Sequence, residues 1–149
     1  MFDNWMTRGV LALALVAGTA GVVVAEGSTA ASAASSPLIC KKFFGHTTSK
    51  VVIAKCVGVK GSAHFAGSDI LTGGTLTWGK TGLTTSYTGS ATSPGEGSCP
   101  VGRVEYDFTG SVTDDTSTYV DVGDTVTYDI CVNSTTHVVK LIRMTTSSF

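Results

Sequence analysis

Beyond Cys40, apolar and polar residues alternate with a period of two, and no stretch holds a helical period over a window of about eleven residues. The clearest run is 104–113. Val104, Tyr106, Phe108, Gly110 and Val112 fall on one face, and Glu105, Asp107, Thr109, Ser111 and Thr113 on the other. That pattern predicts an antiparallel strand with one buried and one wet face. Leu83, Thr85, Tyr87 and Gly89 alternate with Thr84, Ser86 and Thr88 in the same way. TLTW (75–78) precedes them across the turn GKTG (79–82), which predicts a hairpin with Leu76 and Trp78 inward. VVIAKCVGV (51–59) is apolar on nearly all positions, so it is expected centrally in the sheet, with Cys56 in the core. DDTS (114–117) reads as a turn, 119–122 as a short strand, and Gly123-Asp124 as a turn into a strand over Thr125–Asn133. A last strand is expected over 136–144, and TSPGEGS (92–98) is the longest loop. Roughly eight or nine short strands predict an all-β fold, either a single antiparallel β-sandwich or a small β-barrel.

The first third of the chain breaks this pattern. Residues 9–25, GVLALALVAGTAGVVVA, form an apolar run without a charge. The run is short for a membrane span, and the small-residue stretch EGSTAASAASS follows it. Ala31-Ser32-Ala33 has the A-x-A form cut by signal peptidase, so residues 1–33 are expected to be a cleaved signal peptide. The start is Met1 or Met6; MTRGV lacks the acid of MFDNWMTR and suits a signal better. Cys40 lies too far beyond the apolar run to carry a lipid anchor. Residues 34–39 are expected to be a disordered lead and 40–149 the all-β domain, secreted or associated with the cell envelope, with no stable membrane insertion after cleavage.

Residues 34–149 hold nine Lys or Arg and nine Asp or Glu. No basic stripe stands out, which argues against nucleic acid and anionic membrane surfaces. All four cysteines, Cys40, Cys56, Cys99 and Cys131, lie in this part. In an exported chain an even number reads as two disulfides. Three pairings exist, and Cys40–Cys56 with Cys99–Cys131 is preferred because each links neighbouring segments. A zinc knuckle needs close C-x-x-C pairs, which are absent.

Candidate chemistry is sparse. Gly-Asp-Thr-Val at 123–126 with a later histidine resembles the cupredoxin family, whose copper takes two histidines, a cysteine and a methionine. The ligand order differs: Cys131 precedes His137, only Met144 follows, and no second histidine lies downstream. His46, His64 and His137 have no partner histidine at i+2 or i+4. Glu105 and Asp107 share a strand face with carboxyls about 6–7 Å apart, a separation used in glycoside hydrolysis. Their hydroxyl neighbours place them in open water, where neither gains the raised pKa of a general acid. Asp114, Asp115, Asp121 and Asp124 sit at turns, where aspartate bonds its own backbone, and no EF-hand spacing is present. No serine-nucleophile or phosphate-loop motif occurs. No cofactor or metal is expected. Ser and Thr make up 34 of the 116 residues from 34 on, enough for a hydroxyl-rich face toward a glycan, though without an exposed aromatic platform.

LTGGTLTWGKTG (71–82), PVGRVEYDFTGSVT (100–113) and VGDTVTYDICV (122–132) resemble small secreted actinobacterial β-rich proteins of unknown function. In size, export and two disulfides the chain is also similar to the apoproteins of enediyne chromoproteins. Both resemblances imply an all-β fold and transfer no catalytic residue. The expected function is a secreted, non-catalytic β domain that binds a cell-wall polymer, a glycan or another secreted protein. The alternative is a small inhibitor or ligand carrier using loop 92–98. A hydrolase through Glu105 and Asp107 ranks third.

Overall fold

Through the first eight strands, each pairs with the next one along the chain, always antiparallel. The computed structural model describes residues 37–79, 81–142 and 147–149; the expected signal peptide and Met144 lie outside them. Nine strands are found among the described residues: β1 (Ile39–His46), β2 (Lys50–Cys56), β3 (Ser62–Ala66), β4 (Gly73–Trp78), β5 (Leu83–Thr92), β6 (Arg103–Asp115), β7 (Thr125–Asn133), β8 (Val138–Leu141) and β9 (Ser147–Ser148). β8 pairs back to β1, with His46 opposite Val138 and Phe44 opposite Lys140. The eight strands β1–β8 therefore close into an up-and-down barrel, the barrel alternative rather than the sandwich. β9 pairs with both β1 and β7, so β8 and β9 fill the two ends of one gap. Closure removes the two edge strands that an open sheet of these eight would have.

Two glycines let the wall bend. Gly89 on β5 and Gly110 on β6 stand opposite each other. A Cβ on Gly110 would meet the Thr88 carbonyl oxygen at 2.2 Å, and one on Gly89 the Thr109 carbonyl oxygen at 2.3 Å. The Phe108 ring lies against both positions. Glycine permits the close approach, and the ring covers the space the missing side chains leave.

An eight-stranded barrel is just wide enough for side chains to fill it or for one small ligand. Here aromatic rings fill it. Phe43, Phe65, Tyr87, Phe108, Tyr128 and Phe149 are all buried and in mutual ring contact. Phe108 stacks on Tyr128 at 4.5 Å with planes 3° apart. Trp78 and Leu76 point inward as the hairpin pattern predicts. Apolar residues thus face the interior, and the outer wall carries Lys, Thr and Ser. A membrane-spanning barrel has the reverse arrangement.

Both ends are closed by connecting segments. Strand alternation puts the connections 47–49, 67–72, 93–102 and 134–137 at one end, here the upper. The 3-10 turn Gly67–Leu71 buries Ile70 there, and Tyr128 Oη donates to the Ile70 carbonyl at 2.7 Å. At the lower end the β6–β7 connection folds over Trp78. Asp115 organises it, accepting hydrogen bonds from the hydroxyls of Thr85 and Ser117 and from the Thr118 N–H. Trp78 Nε1 donates to Thr85 Oγ1 at 2.7 Å, and the Tyr119 ring meets Trp78 edge-on at 5.1 Å. The strand expected over 119–122 is not formed, because Tyr119 and Val120 turn inward to seal this end.

Of the disordered lead expected over 34–39, residues 34–36 lie outside the described residues, and Leu38 and Ile39 are part of the fold. Leu38 is buried and exchanges both backbone hydrogen bonds with Phe149, at 2.7 and 3.0 Å, and Ile39 opens β1. Both disulfides form in the preferred pairing, Cys40–Cys56 and Cys99–Cys131. Two closed disulfides fit an oxidising, extracellular setting.

Candidate functional site

β6 outruns β5. Their pairing ends at Thr92 opposite Asp107, whereas β6 pairs with β7 up to Arg103 opposite Asn133. The projecting end of β6 therefore has one free flank, and residues 93–102 fold back across its outer face. Three constraints hold them there. The Cys99–Cys131 disulfide ties the loop to the outer side of β7, with the two Cα atoms 5.6 Å apart. The Ser98 N–H donates to Glu105 Oε2 at 3.2 Å. The Arg103 N–H donates to the Pro100 carbonyl at 3.1 Å, closing a four-residue turn with Gly102 at φ 82°. Glycine at that position is what a type II turn requires.

Glu105 is thus corrected from the expected wet face to a buried position, only 6% exposed. The alternation placed its side chain outward correctly; the loop then covers it. Val104 is corrected in the opposite sense. It was expected in the core and is 38% exposed, because it lies toward the rim, beyond the half-buried Tyr106. Asp107 stands opposite Asp129 on β7, both half-buried. Burial pushes the Asp129 carboxyl up, helped by the charges of Asp107, Glu105 and Glu96.

The turn at 100–103 carries an unusual side chain. Val101 is fully exposed at its tip, and Val104 stands close beside it in the chain. A groove of about 560 Å³ runs along the loop, lined by Gly97, Ser98, Pro100, Arg103, Lys140 and the Cys99–Cys131 bridge. A smaller one of about 270 Å³ lies on the β6 side, lined by Ser93, Gly95, Arg103, Val104 and Glu105. The loop forms a ridge between two grooves.

The other residues singled out by the sequence do not converge. His46 and His137 flank the upper end, where His137 Nδ1 lies 3.3 Å from Thr47 Oγ1, and His64 is on β3. Asp124 accepts a hydrogen bond from the Asp121 N–H at 2.8 Å, a turn role like that of Asp115. Among the described residues, no three of His, Cys, Asp and Glu are placed to hold a metal ion. Compared with protein-family models, curated proteins and solved structures, the chain matches none.

Proposed function

We propose that this is a secreted, non-catalytic binding module whose contact element is the stapled ridge 93–102. One observation carries this: an apolar side chain, Val101, is held fully in water at the tip of a turn fixed by a disulfide and two hydrogen bonds. A loop ordered before contact loses little freedom on binding, so its apolar tip contributes to affinity. The surrounding residues, Pro94, Pro100 and Val104, are exposed as well and extend the contact toward a protein surface. This is the loop that the inhibitor alternative uses, now with both ends fixed.

Two other readings have less support. A ligand carrier needs an interior cleft, and six rings occupy the interior. A hydrolase needs Glu105 as an accessible acid, and that carboxylate instead holds the Ser98 N–H beneath the loop. The test is a hydrogen-exchange footprint of the exported protein added to an isolated envelope and secreted-protein fraction of the producing cell. Added protection over 93–104, lost in V101D, is expected. Protection confined to other strands, with 93–104 unchanged, refutes the loop as the contact element.

A further inference from the structure

The near-neutral net charge conceals a separation that only the strand order reveals. Residues 37–68, which build β1, β2 and β3, contain Lys41, Lys42, Lys50, Lys55 and Lys60 and no Asp or Glu. β8, on the other side of β1, adds Lys140 and no acid. All six lysines are exposed. Residues 103–133, which build β6 and β7, contain seven acids and Arg103 as their one Lys or Arg. In a ring of eight, β2–β3 stand across from β6–β7. The barrel is therefore basic on one wall and acidic on the opposite one. The sequence-based expectation that no basic stripe exists is corrected: no run of lysines occurs, but closing the barrel gathers them.

The basic wall also holds the aromatic platform that the sequence did not reveal. Phe44 is 45% exposed at its centre. Strand register sets one outer-face row, Lys140, Phe44, Val52 and His64, across β8, β1, β2 and β3. At the usual strand spacing this row spans about 14 Å. Lys42 lies on the same face of β1, two residues from Phe44. A depression of about 320 Å³ is lined by Lys41, Lys42, Phe44, Lys140 and Leu141.

We propose that this wall binds an acidic polysaccharide, a glycan carrying carboxylates along its chain. Six cationic groups with no carboxylate on their own strands attract a polyanion, and the attraction acts over roughly a Debye length of 8 Å at physiological salt. The cations are lysines. Lysine is a point charge on a flexible stem, needs no fixed bidentate geometry, and so suits anionic groups spread along a chain. A single phenyl ring among them, that of Phe44, offers a flat apolar surface to the C–H face of a sugar. The closed disulfides fit an extracellular setting, where polymers of this kind are met more often than nucleic acid. The wall is independent of the 93–102 ridge, which it borders only at Lys140 and Leu141.

The experiment is calorimetric titration of the exported protein with polygalacturonate, with dextran, poly-glutamate and single-stranded DNA as comparators. Binding to polygalacturonate, weakened by salt and absent for dextran, is expected. K42E/K140E should weaken it about tenfold or more through charge reversal. F44A should weaken polygalacturonate binding and leave poly-glutamate unaffected, while V101D changes neither. These residues are exposed, so the variants are expected to fold, and circular dichroism checks that they do. No polygalacturonate binding at low salt overturns the proposal. So does equal or tighter binding of poly-glutamate or DNA with F44A indistinguishable from wild type, which would leave charge attraction alone.

Discussion

Two buried tyrosines make the same chemical change give opposite results. Tyr87 and Tyr128 are 3% and 1% exposed inside the barrel. Tyr128 donates to the Ile70 carbonyl at 2.7 Å. Tyr87 Oη is buried and has no hydrogen-bond partner among the described residues. Burial pushes both phenols well above the usual tyrosine range, so both hydroxyls stay protonated. Replacing Tyr87 by Phe removes a buried, unpaired hydroxyl, whose desolvation costs about 1–3 kcal/mol. Little contact is lost with one oxygen atom, so Y87F should stabilise by about 1 kcal/mol. Y128F loses a hydrogen bond worth about 1 kcal/mol and leaves the Ile70 carbonyl buried without that donor, so it should destabilise by about 1–2 kcal/mol. For a domain of roughly 110 residues, 1 kcal/mol shifts Tm by about 4 °C. Differential scanning calorimetry should therefore separate the two variants by roughly 8 °C or more. The two phenols influence each other and share the rings of Phe108 and Phe149, so the double variant should depart from additivity. If Y87F destabilises by 1 kcal/mol or more, the Tyr87 hydroxyl is partnered and the reasoning fails.

Other changes test separate features. In the chain-entropy model, the 32-residue separation of Cys99 and Cys131 corresponds to about 3.7 kcal/mol, so C99S/C131S should lower urea-unfolding stability by up to that amount while keeping far-ultraviolet circular dichroism. G110A places a Cβ 2.2 Å from the Thr88 carbonyl and should cost about 1–3 kcal/mol in the same urea assay, the usual range for overpacking. Asp129 has a raised folded pKa, so it binds its proton more tightly folded than unfolded, and its ionisation destabilises the fold as pH rises through that interval. D129N should raise Tm at pH 7 and change it little below the ordinary carboxylate range, a contrast read from melting curves across pH.

Some of this was legible in the chain and some was not, for identifiable reasons. Period-two alternation encodes which residues face inward, so Leu76, Trp78, Phe108 and the β7 strand were readable without a structure. The disulfide pairing was readable because each bridge links segments close in sequence. Barrel closure was not, since it rests on β1 meeting β8, and alternation carries no information about which strand is whose neighbour. The burial of Glu105 was missed for a related reason: its cover comes from an irregular loop, whose position no periodicity records. The lysine wall left one trace in the sequence, the absence of any acid from 37 to 68. Net charge averaged that trace away.

The two disulfides hold different parts of the molecule, and this separates the two proposed surfaces. Cys40 and Cys56 stand directly opposite in the β1–β2 ladder and are buried, so their bridge reinforces strands that already pair. Cys99 is less buried than the other three and joins a loop to the outside of β7. Mild reductant reaches the Cys99–Cys131 bridge first, through the half-buried Cys99, since thiolate attack depends on access. Opening it releases residues 93–102 from β7 while β1, β2 and β8 keep their register, and with them the lysines around Phe44. Partial reduction should therefore abolish protection of the ridge in hydrogen exchange and leave polygalacturonate affinity within about twofold of the oxidised protein. Loss of both together would mean that the ridge and the wall form one site, and the division of labour argued from the barrel's geometry would be wrong.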